Sequence, residues 1–246
     1  MGRYQEAVQE LRSRQKTSKG APAYSRFVNR PLGRRLAAAA HVLGLGPDQV
    51  TLLSAGATCS GIALVALVPP SVGLGLAVAL LLVLGYALDS ADGQLARLRG
   101  GGRPAGEWLD HVVDAAKIAL IHTAVLLSWY RFGALDERWL LVPLAFLVAQ
   151  TVVFFAMVLT DLLRRQLRGK QDHFAVGEGT SSTLYSLAVV PTDYGLLCLL
   201  FALLGWRWAF VLGYTVLAAA MVGFTLLALP KWYLEIRRSS PVQGMS

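Results

Sequence analysis

Six apolar stretches, each near the length of a membrane-spanning helix, follow a polar and basic first fifty residues. They cover residues 50–68, 72–88, 112–132, 139–163, 184–204 and 208–229. About 20 apolar residues carry a helix across a bilayer. Breaks fall at Pro69-Pro70, at a glycine-rich turn over 99–104, and at 133–138, 164–183 and 205–207. The pattern predicts an all-α, polytopic integral membrane protein with six transmembrane helices. Ahead of them, Phe27, Val28, Leu32, Leu36, Val42 and Leu43 alternate with Arg26, Arg30, Arg34 and Arg35. This predicts a basic amphipathic interfacial helix, interrupted at Pro31, lying flat where its arginines meet lipid phosphates. Residues 1–22 read equally well as a surface helix or a disordered basic arm. The expected organisation is a cytoplasmic arm and interfacial helix over 1–49, a six-helix domain over 50–230, and a cytoplasmic tail over 231–246.

Composition supports the membrane reading. The chain is 55% hydrophobic and only 15% charged, against roughly 25% charged in an average soluble domain. The net charge of +8 fits loops facing anionic lipid, and no aromatic-basic interleaving points to nucleic acid. Of the lysines and arginines, nineteen fall on the side of the termini and three, Arg131, Arg138 and Arg207, on the other. This asymmetry puts both termini in the cytoplasm of a cell membrane. Tryptophans 108, 129, 139, 206, 208 and 232 fall near span ends, as an interfacial belt requires. Cys59 and Cys198 lie within apolar runs and read as small buried or lipid-facing residues. No apolar core precedes a small-residue cleavage site in the first fifty residues, so no signal peptide is expected.

Candidate chemistry concentrates at the junction of the second and third stretches. The chain reads Asp89-Ser-Ala-Asp92-Gly93-Gln-Leu-Ala96-Arg97, then eight residues, then Gly106-Glu-Trp-Leu-Asp110-His-Val-Val-Asp114. On helices, Asp89 and Asp92 share one face, and Asp110 and Asp114 share another. The intervening Arg-Gly-Gly-Gly-Arg-Pro reverses the chain. Two antiparallel helices then aim four carboxylates at one point. Such a cluster repels itself unless a cation sits within it, and hard divalent cations take oxygen ligands. Lys117 lies on a similar face to Asp114, either to counterbalance the cluster or to bind an acceptor phosphate. Arg164, Arg165, Arg168 and Lys170 are either plain positive-inside charge or a site for an anionic acceptor. Asp193, after Pro191, either lines a cavity at a broken helix or is locally paired. His111 reads as packing, Glu107 faces away from the carboxylates, and His41, His122 and His173 have no ligand spacing.

The full pattern, D-x-x-D-G-x-x-A-R, eight residues, G-x-x-x-D-x-x-x-D, resembles the signature of the CDP-alcohol phosphotransferase (phosphatidyltransferase) family, with every defining position filled. Asn29-Arg30-Pro31 and Pro47-Asp48-Gln49-Val50-Thr51 are similar to segments that precede the first span in that family, where Pro-Asn is usual instead of Pro47-Asp48. The resemblance implies a reaction in which a CDP-linked alcohol or lipid, such as CDP-diacylglycerol, meets a hydroxyl acceptor and CMP leaves. It implies two divalent ions, Mg²⁺ or Mn²⁺, with Asp89, Asp92 and Asp110 as ligands and Asp114 as general base and fourth ligand. It places the nucleotide against Asp89, Gly93, Ala96, Arg97, Gly106 and Thr51. The acceptor would be a small alcohol, polyol or polyol phosphate, met by Lys117, Arg164, Arg165 and Arg168, and a homodimer is compatible. Two other readings of the same features are a membrane prenyltransferase with an aspartate-rich Mg²⁺ site and a cation-coupled transporter.

Overall fold

The computed structural model describes residues 2–13, 22–133, 135–168 and 193–239. Among them every regular element is helical. Helix α1 covers Arg3–Ser13. A π-helical turn over Ser25–Asn29 leads directly into α2, Arg30–Val42. The interruption expected at Pro31 does not occur. Pro31 sits in the first turn of α2, and the wide preceding turn, closed by the Arg30 amide on the Ser25 carbonyl, gives its ring room where an α-turn would clash. Helix α1 buries Ala7 and Leu11, so its chain is an ordered helix over these residues. The two N-terminal helices share an apolar cluster with the end of α4 (Val72–Leu98): Ala37, Ala38, Ala91 and Leu95 are all fully buried. Gly33 makes that approach close, because a Cβ there would come within 2.7 Å of the Ser90 hydroxyl.

Among the described residues, five helices are long and apolar enough to cross a membrane: Pro47–Leu67, Val72–Leu98, Pro104–Phe132, Glu137–Leu167 and Arg207–Ser239. We call the first α3, the third α5 (Pro104–Phe132), the fourth α6 (Leu141–Arg168 after a 3-10 turn) and the last α8 (Arg207–Ser239). The molecule is therefore a multi-pass membrane protein. They match five of the six expected spans. For the remaining one, residues 184–192 lie outside the described residues. Residues 194–203 form a short helix α7, Tyr194–Leu200, and a 3-10 turn, Phe201–Leu203. Asp193, buried, caps α7: one carboxylate oxygen accepts the Gly195 amide at 3.0 Å and the other the Ser25 amide at 3.1 Å. Of its two sequence readings, the structure selects local pairing.

Two further boundaries and one side chain differ from the sequence expectation. Helix α6 continues through Arg164 and Arg165 where a break was expected, because their side chains pair with carboxylates on neighbouring turns and helices. Helix α8 passes through Pro230 and on to Ser239, so the first part of the expected tail is helical. Trp129 is not interfacial: it is buried against Tyr214, ring centroids 5.5 Å apart, within an aromatic core that includes Phe146 and Phe210. His122 is fully buried in the same core. Its Nδ1 bonds the Tyr214 hydroxyl at 2.5 Å and its Nε2 the Gln150 carbonyl oxygen at 2.6 Å. That joins α5, α6 and α8 through a satisfied polar network, which a lipid environment makes valuable.

The approach of α3 to α4 positions the site. The Ser54 hydroxyl donates to the Gly85 carbonyl at 2.8 Å, and a Cβ on Gly85 would collide with the Thr58 hydroxyl and press on the Ser54 carbonyl at 3.2 Å. Gly85→Leu is expected to destabilise the fold by about 1–3 kcal/mol, the usual range for overpacking. Thermal unfolding in detergent checks this, with Gly73→Leu as the control, since no atom lies within 4 Å of a Cβ there.

Candidate active site

The signature residues straddle a sharp turn. Helix α4 ends at Leu98, and Gly100 and Gly101 follow with φ of 97° and 124°, a left-handed backbone open to glycine at little cost. Arg103 is then the N-cap of α5 and Pro104 its first residue, a position that needs no amide hydrogen. Arg99 ties the turn to the start of α3 by donating to the Leu45 carbonyl at 2.7 Å. Arg103 pairs with Asp48 at 3.3 Å, an exposed contact. The turn therefore sets α4 and α5 antiparallel, with their polar ends level, as the spacing predicts.

This geometry brings together three of the four predicted carboxylates. Asp89, Asp110 and Asp114 each offer an oxygen, and those oxygens lie within 4.8 Å of one another. The donor set is all oxygen and anionic, which suits a hard divalent cation. Asp92 stands outside this group. It is buried on a neighbouring face of α4, and its Oδ2 accepts the Thr51 hydroxyl at 2.6 Å. Thr51, a candidate nucleotide contact from the sequence, makes this bond from the first turns of α3.

Lys117 lies where the three helices meet. Its Nζ donates to Asp89 Oδ1 at 2.6 Å, to Asp114 Oδ1 at 3.1 Å and to the Ser54 hydroxyl at 3.1 Å. The side chain is 6% exposed. Sequence reasoning left this residue between two roles; the structure sets it among the carboxylates.

Gly93, Ala96 and Arg97 line one side of the end of α4, each partly exposed. A Cβ on Gly93 would touch only the Arg97 guanidinium, at 3.5 Å. Gly106 lies in the first turn of α5, and a Cβ there would meet Asp48 Oδ1 at 3.3 Å. Arg164 forms a two-pronged pair with Glu235 on α8, at 2.8 and 2.6 Å. Arg165 bonds Glu107 on α5 at 2.7 Å and Asp161 at 2.6 Å. Arg168 ends α6, and Lys170 lies outside the described residues. His111 stacks edge-on against Phe154, in keeping with packing. What the sequence did not reveal is the set of neutral partners, Thr51 and Ser54. A hydroxyl in an apolar run carries no sign of which helix it will meet.

The family model for CDP-alcohol phosphatidyltransferase matches residues 45–227, and the chain belongs to that family. A phosphatidylinositol phosphate synthase of Mycobacterium marinum is 34% identical over 133 residues, which are 54% of this chain. The match spans 53% of that relative, about half its length. The crystal structure of Mycobacterium tuberculosis phosphatidylinositol phosphate synthase with CDP-DAG bound superposes with a TM-score of 0.54 and 23% identity, covering 89% of this chain and 98% of that one. The same enzyme in complex with manganese and citrate gives 0.53 and 24%, covering 86% and 92%. At that identity these structures establish a shared fold. Family membership sets aside the prenyltransferase and transporter readings. Asp110→Asn is expected to weaken Mn²⁺ binding at least about tenfold, because it removes one of three charged oxygen donors. Titration of the free Mn²⁺ EPR signal with the purified protein checks this.

Proposed function

We propose, with family membership as the premise, that this protein transfers a phosphatidyl group from a CDP-linked lipid donor, CDP-diacylglycerol, to the hydroxyl of a polyol or polyol phosphate. A bond forms between the acceptor oxygen and the lipid-side phosphorus. The bond from that phosphorus to the bridging oxygen breaks, that oxygen leaves with CMP, and the acceptor proton is released. The observation that carries the reading is the convergence of Asp89, Asp110 and Asp114 at the ends of α4 and α5. The names of the relatives point to an inositol phosphate as the first acceptor to test.

The carboxylate set fits two divalent ions, Mg²⁺ or Mn²⁺, held by Asp89, Asp110 and Asp114, with Asp92 completing the set from its place beside Thr51. Bound there, such ions would neutralise the pyrophosphate and the charge that develops in the transfer. The chain's own groups do the rest. Gly93, Ala96 and Gly106 leave the backbone accessible to the nucleotide, and Arg97 offers a planar fork to phosphate oxygens. Thr51 holds the Asp92 carboxylate in a single orientation. Asp114, one turn deeper than Asp110, is placed to accept the acceptor's proton. Arg164, Arg165 and Arg168, on the last turns of α6, offer the cations that a phosphorylated acceptor needs. The nineteen-to-three asymmetry of basic residues sets the site and both termini at the cytoplasmic face of a cell membrane. A homodimer and a sixth span over 184–204 are consistent with this reading.

Release of CMP from CDP-diacylglycerol, with a panel of polyols and polyol phosphates, tests the activity. No release with any acceptor, in the presence of Mg²⁺ or Mn²⁺, overturns it. Asp114→Asn is expected to lower turnover by about 10²-fold or more, as for loss of a general base, with donor affinity changed much less. Single-turnover rates beside donor affinity check this; near-normal turnover would leave Asp114 as a ligand only. In a variant lacking Cys59 and Cys198, Gly102→Cys is expected to react only with reagent on the cytoplasmic side and Asp136→Cys only from outside. Labelling in intact cells with an impermeant maleimide reads the orientation.

A further inference from the structure

Lys117 is the one buried ammonium among the described residues, and all three of its N–H bonds are committed. Two go to carboxylates of the proposed metal set and the third to Ser54. The Ser54 hydroxyl in turn donates a hydrogen bond to the Gly85 carbonyl, so the contact links α3, α4 and α5. The lysine lies on α5 three residues from Asp114, and Asp89 reaches it from α4. Asp89 and Asp114 meet it through Oδ1, and their Oδ2 atoms take no part in those bonds. A monovalent cation on a tether thus sits against the same carboxylates that a divalent ion would bridge.

We propose that Lys117 is a positioning residue: a built-in counter-ion that holds Asp89 and Asp114 together before metal arrives and that competes with metal for them. The inference rests on the proposed metal site. Three carboxylates within 4.8 Å repel one another strongly where solvent is scarce. The ammonium offsets that repulsion in the metal-free protein and keeps α4 and α5 in register. Once a dication binds, the same ammonium is a like charge beside it. Lys117 therefore stabilises the empty site and weakens metal binding, which sets the affinity to a reversible range. Loss of the lysine also loosens the empty site, but a dication gathers the carboxylates itself, so the electrostatic gain dominates.

The test uses the full chain in detergent at one fixed pH. Mn²⁺ affinity is read from the free-ion EPR signal, and thermal midpoints are taken with chelator and with saturating Mn²⁺. Lys117→Met, and Lys117→Gln should the first fail to fold, are expected to bind Mn²⁺ at least about tenfold more tightly than the parent. Their midpoints with chelator should fall by several degrees, and the rise on adding Mn²⁺ should exceed the parent's. Ser54→Ala keeps the charge and removes a neutral bond, so it should lower the midpoint without tightening Mn²⁺ binding. Unchanged or weaker Mn²⁺ affinity in both lysine variants overturns the proposal, as do equal losses of midpoint with and without metal, the mark of a merely structural role. A parent protein with no saturable Mn²⁺ binding would instead overturn the metal-dependent reading of the site itself.

Discussion

Repulsion among Asp89, Asp110 and Asp114 is the constraint around which the rest of this site is arranged. Two unit charges 4 Å apart interact by about 1 kcal/mol in water and about 4 kcal/mol near a protein surface. The two α4 carboxylates each have a donor from another helix: Lys117 for Asp89, Thr51 for Asp92. Lys117 also serves Asp114 on its own helix, so one ammonium is shared by carboxylates of α4 and α5.

Those partners require close helices, and small residues provide them. Gly85 lets α3 lie against α4 so that Ser54 and Thr51 reach across. Gly33 lets α2 lie against Ser90, one residue beyond Asp89. The basic N-terminal segment packs along the back of the signature helix through Ala37 and Ala38 against Ala91 and Leu95, and Asp193 ties its start to α7 through the Ser25 amide. That face of α4 is filled with alanine and leucine, which leaves Asp89 to meet Lys117 on another.

Helical periodicity made the convergence of the carboxylates legible, since spacings of three and four put side chains on one face whatever the neighbours are. The Gly-Gly-Gly-Arg-Pro run made the reversal legible for a similar reason: φ values of 97° and 124° belong to glycine, and Pro104 opens a helix. Periodicity says nothing about which helix faces which. The separation of Asp92 from the other three followed from a threonine 41 positions earlier in the chain, and no local signal links those two. His122 has no ligand spacing in the sequence, and its bonds to Gln150 and Tyr214 depend on the packing of three helices, which no local pattern shows. Trp129 failed as a belt residue because a rule based on distance from a span end cannot see the Tyr214 ring that covers it. Pro31 failed as a breaker because the remedy, a widened turn, lies in the residues before it.

Three of the cations considered for an acceptor, Lys117, Arg164 and Arg165, fall into two kinds. Lys117 is 6% exposed and all three of its N–H bonds are taken, so lending it to an acceptor phosphate would strip charge compensation from two half-buried carboxylates. Arg164 and Arg165 are also paired, with Glu235, Glu107 and Asp161, but their side chains are 33% and 46% exposed. Exposed ion pairs contribute only about 0–1 kcal/mol each, so a doubly charged phosphate draws Arg165 away more easily than Arg164, whose pair with Glu235 is two-pronged and half-buried. A guanidinium also keeps its charge and presents a flat pair of donors to either partner. Their carboxylate partners lie on α5, α6 and α8, so an acceptor that drew both arginines would loosen the contacts joining α6 to α5 and α8. Selectivity for a phosphorylated acceptor would then lie in the exchange of partners at the end of α6. Selectivity for metal would lie with the lysine that does not let go.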